Sequence, residues 1–192
     1  KILSSASSVI AEGEVDQLSA QRHVDTTEER YLAIIGAKTA ALFAAATRVG
    51  AVVAEVSEAQ ERALEDYGRN LGIAFQLVDD AIDYDSEVAE MGKGKGDDFR
   101  EGKMTLPVIL AYARGDAEER RFWQEAIAGF RSEDADLEHA VALIARHDTV
   151  TATRDRARLY AQRAIDALAS FPAGEARNAM TEAAEFAVAR RF

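Results

Sequence analysis

Gln76, Asp79, Asp80 and Asp83 stand three or four positions apart in the run from Gly72 to Tyr84. On a helix that spacing places them on one face. Three carboxylates on one face repel one another, and inside a core they are costly unless cations neutralise them. The flanking Phe75, Leu77, Val78 and Ile82 are core-forming side chains, so the carboxylates are expected to line a cavity. Carboxylate oxygens are the hard ligands that Mg2+ takes, with water and substrate phosphate filling the rest of its octahedron. Taken alone, a solvated acidic helix face is the competing reading, because the chain has 34 acidic residues.

The context adds phosphate-binding residue types. Only five of the 23 basic residues are lysines: Lys1, Lys38, Lys93, Lys95 and Lys103. Lysine is a compact, strongly hydrated point charge suited to single phosphate oxygens. Lys93 and Lys103 flank the glycine-rich stretch from Gly92 to Gly102, where glycines let backbone and lysines approach a phosphate. A Walker-type loop is excluded, because Gly96 and Gly102 enclose five residues and Met104 stands where serine or threonine is required. Lys38 sits among Ile35, Ala37, Ala40 and Leu42, so it either snorkels to the surface or faces a bound anion.

The elements positioning these groups are helical, since apolar residues recur at three and four positions almost throughout. A first helix is expected from about Ser4 to Gln21. Thr26 with Glu29 reads as a capping box opening a helix to about Gly50. Ser57 with Gln60 repeats the signal for a long helix through Gln76 to about Val88. The glycine-rich stretch reads as a loop, Thr105 as a cap and Pro107 as a first-turn residue. Four further helices are expected near 117–128, 135–147, 150–169 and 175–190. The expected fold class is all-α, a single antiparallel helical bundle over residues 1–192. His139 and His147 are expected at the surface rather than on a metal.

Bulk properties narrow the function. With 48% hydrophobic residues and two prolines the chain can bury a core. A net charge of -11 argues against nucleic acid, whose phosphates need a basic face. The absence of cysteine excludes disulfides and thiolate metal sites and is compatible with the cytoplasm, the expected location. No apolar run is expected to span a bilayer, because charged residues interrupt each one. The opening residues lack the apolar stretch of a secretory signal. The chain opens at Lys1 in what reads as helix, so an N-terminal part is expected to precede it.

Several short motifs, in this order, resemble the trans-polyprenyl diphosphate synthases. They are Gly13-Glu14-Val15-Asp16-Gln17, Lys38-Thr39, and Phe75-Gln76 running on to Asp79-Asp80-Ala81-Ile82-Asp83-Tyr84. Gly92-Lys93, Gly96-Asp97-Asp98 and Gly102-Lys103 before Thr105-Leu106-Pro107 complete the set. The match is closest to the long-chain octaprenyl and solanesyl type, and it thins after about Arg114. The resemblance implies the isoprenoid synthase bundle without its N-terminal helices. It implies Mg2+-dependent ionisation of an allylic diphosphate and its condensation with isopentenyl diphosphate. Asp79 would bind Mg2+ directly, with Asp80 and Asp83 as further ligands or in support. Lys38, Lys93 and Lys103 would bind the allylic diphosphate, helped by Thr39 and Gln76, while Glu14 and Gln17 line the far side of the cavity. Lys38, Asp79, Asp80 and Lys93 would carry the catalysis, and a homodimer is implied. The family's first aspartate-rich motif and its basic site for isopentenyl diphosphate lie upstream of Lys1, so this chain alone is expected to be inactive. A non-catalytic subunit of a heteromeric synthase and a terpene cyclase on the same fold are the alternatives.

Overall fold

The computed structural model describes residues 1–85, 96–129 and 133–190. Lys93, together with Gly92 and Lys95, lies outside the described residues. Those residues form ten α-helices and no strand. Helix α1 spans Ile2–Ala20, α2 Glu28–Ile35 and α3 Ala41–Val53, with a π turn at Gly36–Ala40 joining α2 to α3. Helix α4, Glu58–Ile82, is followed by the short α5, Asp97–Arg100, then α6, Leu106–Arg114, and α7, Ala117–Trp123. Helices α8, Asp134–Arg146, α9, Thr149–Ala167, and α10, Glu175–Ala189, complete the chain.

Helix α4 is the axis of the bundle, and its C-terminal half is buried on most sides. Tyr67, Ile73, Leu77, Val78 and Ile82 are all buried along it. Helices α3 and α9 flank it through small residues, Ala40, Ala44 and Ala45 on one side and Ala157, Ala161 and Ala164 on the other. Alanine at three- and four-residue spacing makes a flat stripe on which a second helix can lie close. Around the C-terminal half of α4, Trp123, Leu106, Ile127 and Ile144 fill the main core, each 0–1% exposed. Tyr67 and Leu168 centre a second apolar cluster towards the other end of α4.

Local chemistry accounts for the boundaries, including those the spacing misplaces. Ser57 and Gln60 do form a reciprocal capping box at the start of α4. The cap predicted at Thr26 falls instead on Thr27, whose hydroxyl accepts the Arg30 N–H at 3.2 Å. Thr26 is buried and donates to the His23 carbonyl at 2.7 Å. Thr105 has extended cap dihedrals, but its hydroxyl makes no capping bond and is buried without a partner. Helix α4 ends at Ile82, short of the predicted Val88. The carboxylate of Asp83 there turns to accept the N–H groups of Asp97 and Asp98, both at 3.2 Å. Those bonds satisfy the free donors that begin α5, so a short helix stands within the stretch read as loop. Gly96 opens it at φ 73, a conformation natural to glycine.

A second correction concerns hydropathy. The continuous helical stretch Glu28–Val53 has 26 residues and an 18-residue window of mean hydropathy 1.4, long and apolar enough to cross a membrane. Its alanines raise the index, while Lys38 is paired with Glu14 and Arg48 with Glu61 and Glu65. It packs against α1 and α4, as a core helix does.

Candidate active site

One cavity of about 260 Å³ collects most of the residues singled out by the sequence. Helix α4 contributes Gln76, Asp79 and Asp80; the π turn contributes Lys38; the segment after α5 contributes Lys103. Tyr31, Gln17, Asp98 and Met104 also line it. A larger hollow of about 660 Å³ lies among α8, α9 and α10. Its arginines are committed, Arg154 to Asp85 at 3.1 Å and Arg158 to Asp155 at 2.5 Å.

The two adjacent aspartates are treated differently. The Asp79 side chain is 57% exposed at the cavity, and its nearest cation is Arg190, at 3.7 Å. Asp80 is 4% exposed and both its oxygens are taken. The Tyr31 hydroxyl donates to Oδ2 at 2.5 Å and the Gln76 amide to Oδ1 at 2.8 Å. Burial pushes the Asp80 carboxyl up to about 7, and the charge of Asp98 adds to this, against the pull of those two hydrogen bonds. Burial, with the Asp98 charge, likewise lifts Asp83 to about 6, opposed by its bonds from the backbone of Asp98 and Asp97.

The three carboxylates predicted as one metal cluster therefore do not converge. Asp83 is engaged in capping α5 and is not part of the cavity lining, and Asp80 is wrapped by Tyr31 and Gln76. Among the described residues no group of three carboxylates or histidines is gathered to hold a metal ion. Among the described residues, Asp79 is the most exposed carboxylate lining the cavity. That donor set fits Mg2+, which keeps several waters and takes one or two carboxylates together with substrate phosphate.

The lysines are held by acidic and amide partners. Lys38 Nζ lies 3.2 Å from Glu14 Oε2 and donates to Gln17 Oε1, so both residues brace the lysine; Gln17 lines the cavity as expected, whereas Glu14 is not part of its lining. Thr39 donates to Gln76 Oε1 at 2.9 Å, linking the π turn through Gln76 to Asp80. Lys103 reaches Glu101 at 2.6 Å and Asp98 at 3.0 Å. Burial works against its charge, but hydrogen bonds from its ammonium to Glu101 and Asp98 outweigh it and hold the lysine above its ordinary value.

Two contributors escape the sequence patterns. Tyr31 is 49 residues from Asp80, and no local spacing links them. Arg190 stacks on Phe75 with its guanidinium 3.9 Å from the ring centroid, and it comes from the opposite end of the chain. Asp98 was visible in Gly96-Asp97-Asp98, where a carboxylate within five residues of Lys103 is the signal. Of the histidines, His139 is exposed as expected, whereas His147 is partly buried and bonded to Glu119 at 2.9 Å.

Comparison with known proteins identifies the family. The polyprenyl synthetase family model matches residues 1–144. The chain is 40% identical over 191 residues to the octaprenyl diphosphate synthase of Haemophilus influenzae, covering 100% of this chain and 58% of that protein. It thus spans less than two thirds of the curated relatives it matches. The fold is similar to a decaprenyl diphosphate synthase from Rhodobacter capsulatus, with TM-score 0.94 and 50% identity over 100% of this chain and 59% of that one. It is equally similar to a polyprenyl synthase from Caulobacter crescentus complexed with calcium and isoprenyl diphosphate, with TM-score 0.94 and 51% identity over 100% and 58% of the two chains. With three quarters of its length matched by the family model, this chain belongs to the polyprenyl synthetase family.

Proposed function

We propose that the protein carrying this chain is a trans-polyprenyl diphosphate synthase, condensing an allylic diphosphate with isopentenyl diphosphate. The observation that supports it most is the cavity that sets an available carboxylate, Asp79, among two braced lysines, Lys38 and Lys103. An anionic diphosphate is attracted to the lysines and repelled by Asp79, unless a divalent cation bridges carboxylate and phosphate. Bound Mg2+ would supply that bridge and draw electron density from the leaving diphosphate. Lys38 and Lys103, already held in place, stabilise the negative charge that grows on the diphosphate as its carbon–oxygen bond breaks. Gln76 and Thr39 keep the π turn in register with α4, and no side chain acts as a nucleophile. The alkene of isopentenyl diphosphate then attacks the allylic cation and loses a proton, lengthening the chain by five carbons. Lys93 belongs to the same proposal on the strength of the motif alone. A homodimer and a cytoplasmic location accompany it.

The test is elongation of farnesyl diphosphate by isopentenyl diphosphate with Mg2+, using the full-length protein and this 20.9 kDa chain side by side. Magnesium-dependent elongation by the full-length protein, lost in Lys38→Ala and Lys103→Ala, is expected. No elongation is expected from the 20.9 kDa chain. Absence of elongation in the full-length protein overturns the proposal; elongation by the short chain overturns its need for upstream residues. Sedimentation of the full-length protein reads its oligomeric state.

A further inference from the structure

The π turn at Gly36–Ala40 carries Lys38 and Thr39 side by side. Adjacent side chains on an α-helix diverge by about 100°, and here they leave towards different helices. Lys38 goes to α1, where Glu14 and Gln17 hold its ammonium. Thr39 goes to α4, where Gln76 accepts its hydroxyl proton. The backbone of the turn is gripped at the same two places. A Cβ on Gly13 of α1 would lie 2.6 Å from the Lys38 amide nitrogen and 3.0 Å from the Ala37 carbonyl carbon. A Cβ on Gly72 of α4 would lie 2.6 Å from Ala40 Cα. These are backbone atoms, which cannot swing aside as a side-chain tip can.

Each flanking helix thus presents the pattern Gly-x-x-x-Gln, Gly13 with Gln17 and Gly72 with Gln76. In each pair the glycine sets the distance between helix and turn. The glutamine, one helical turn later on the same face, ties one side chain of the turn. Helix α4 uses its pair twice, because Gln76 also donates to Asp80. Gly36 and Gly50 have open space where a Cβ would go, so the close approach is not general to glycines in this region.

We infer that Gly13 is a positioning residue for the diphosphate-binding lysine: by lacking a Cβ it lets α1 close on the π turn, so that Glu14 and Gln17 aim Lys38 into the cavity. The placement of Lys38 stands on the geometry above, and only the identity of its ligand rests on the prenyl-transfer reading. Alanine favours a helix more than glycine does, so a loss of function in Gly13→Ala cannot come from weakened helix formation.

The experiment uses the full-length protein and two readouts. The first is the rate at which Lys38 is acetylated by a small reagent, followed by mass spectrometry. The second is calorimetric titration with inorganic pyrophosphate in the presence of Mg2+. Gly13→Ala is expected to speed Lys38 labelling and weaken pyrophosphate binding by about tenfold, as a displaced binding group does. Gly13→Ala/Lys38→Ala is expected to bind no more weakly than Lys38→Ala, because both changes act through one group. Gly50→Ala is expected to change neither readout. Unchanged labelling in Gly13→Ala overturns the inference, as does additive weakening in the double variant. If Gly13→Ala fails to fold, Gln17→Leu enters the same cycle and decides it by the same criteria. Faster labelling, combined with pyrophosphate binding that ignores Lys38→Ala, upholds the positioning and overturns the diphosphate reading instead.

Discussion

Asp79 and Asp80 are neighbours in sequence, yet the Asp79 carboxylate is 57% exposed at the cavity while Asp80 is 4% exposed beneath it. The difference follows from helix geometry: a step of one residue rotates the side chain by about 100°, which turns Asp80 from the exposed rim of the cavity to its buried wall, against Tyr31. Asp79→Asn should therefore lower the steady-state turnover of the full-length protein by at least about a hundredfold, the scale of removing a preorganised electrostatic group. Asp80→Asn should cost less, since an amide oxygen still accepts from Gln76. Equal losses in the two variants would show that Asp80 also binds metal. The raised carboxyls make a separate prediction for the metal-free protein. Folded Asp80, at about 7, and Asp83, at about 6, both lie above an unfolded aspartate near 4. Between those values the folded chain binds more protons than the unfolded one, so stability falls as pH rises from about 4 to 7. Melting temperature without divalent ions should decline over that range, with Asp80→Asn removing much of the slope. A flat or rising profile would contradict the burial of these groups. Asp116 and Glu119, held low by backbone hydrogen bonds and by His147 respectively, act in the opposite sense only nearer the acid end.

At the scale of elements, the site is assembled by three segments that meet at the C-terminal end of α4, and Asp83 joins two of them. Its oxygens accept from Asp97 and Asp98, and α5 then leads to Lys103, itself bonded to Asp98. Asp83→Ala removes a helix cap worth about 1 kcal/mol and frees the segment that carries Lys103. Amide exchange at 97–103 should quicken, and the KM for the allylic diphosphate should rise more than kcat falls. Asp83→Asn retains an accepting oxygen and should restore both; failure of that rescue would assign Asp83 to the metal rather than to α5. Such a joint marks the limit of what the sequence makes legible. The all-α class, the capping box at Ser57 and the shared helix face of Gln76 and Asp79 follow from spacing and residue type, because they depend on contacts within a few positions. The capping of α5 by Asp83, the Tyr31–Asp80 bond and the bracing of Lys38 by Glu14 and Gln17 do not. They span 14, 49 and 21 or more residues and arise only when helices pack. The π turn is equally silent in sequence, since its alanines and lysine suit an α-helix as well.

Across the whole molecule, the last helix is coupled to the centre of the bundle through Arg190. Its guanidinium lies over the Phe75 ring, donates to the Phe75 carbonyl at 2.7 Å, and approaches Asp79 at 3.7 Å. Arg154 of α9 ties Asp85, just beyond α4, to the Arg190 carbonyl, so α4, α9 and the end of α10 share one polar joint. A lysine cannot reproduce this, because stacking and the carbonyl bond both use the flat guanidinium. Arg190→Ala should reduce unfolding free energy by about 2–5 kcal/mol, the sum of a partly desolvated cation–π contact and one charged hydrogen bond. Arg190→Lys should recover only a part of it. The loss should be concentrated in α10, read as faster amide exchange across Glu175–Ala189 with little change in α6 or α7. It should also reach the active site, because Asp79 would lose its nearest cation while keeping its exposed position at the cavity. Mg2+ titration of the Arg190→Ala protein should accordingly show tighter metal binding, since a cation no longer competes for that carboxylate. Unchanged metal affinity, alongside loosened α10, would confine Arg190 to holding the helix and leave Asp79 independent of the C-terminal end.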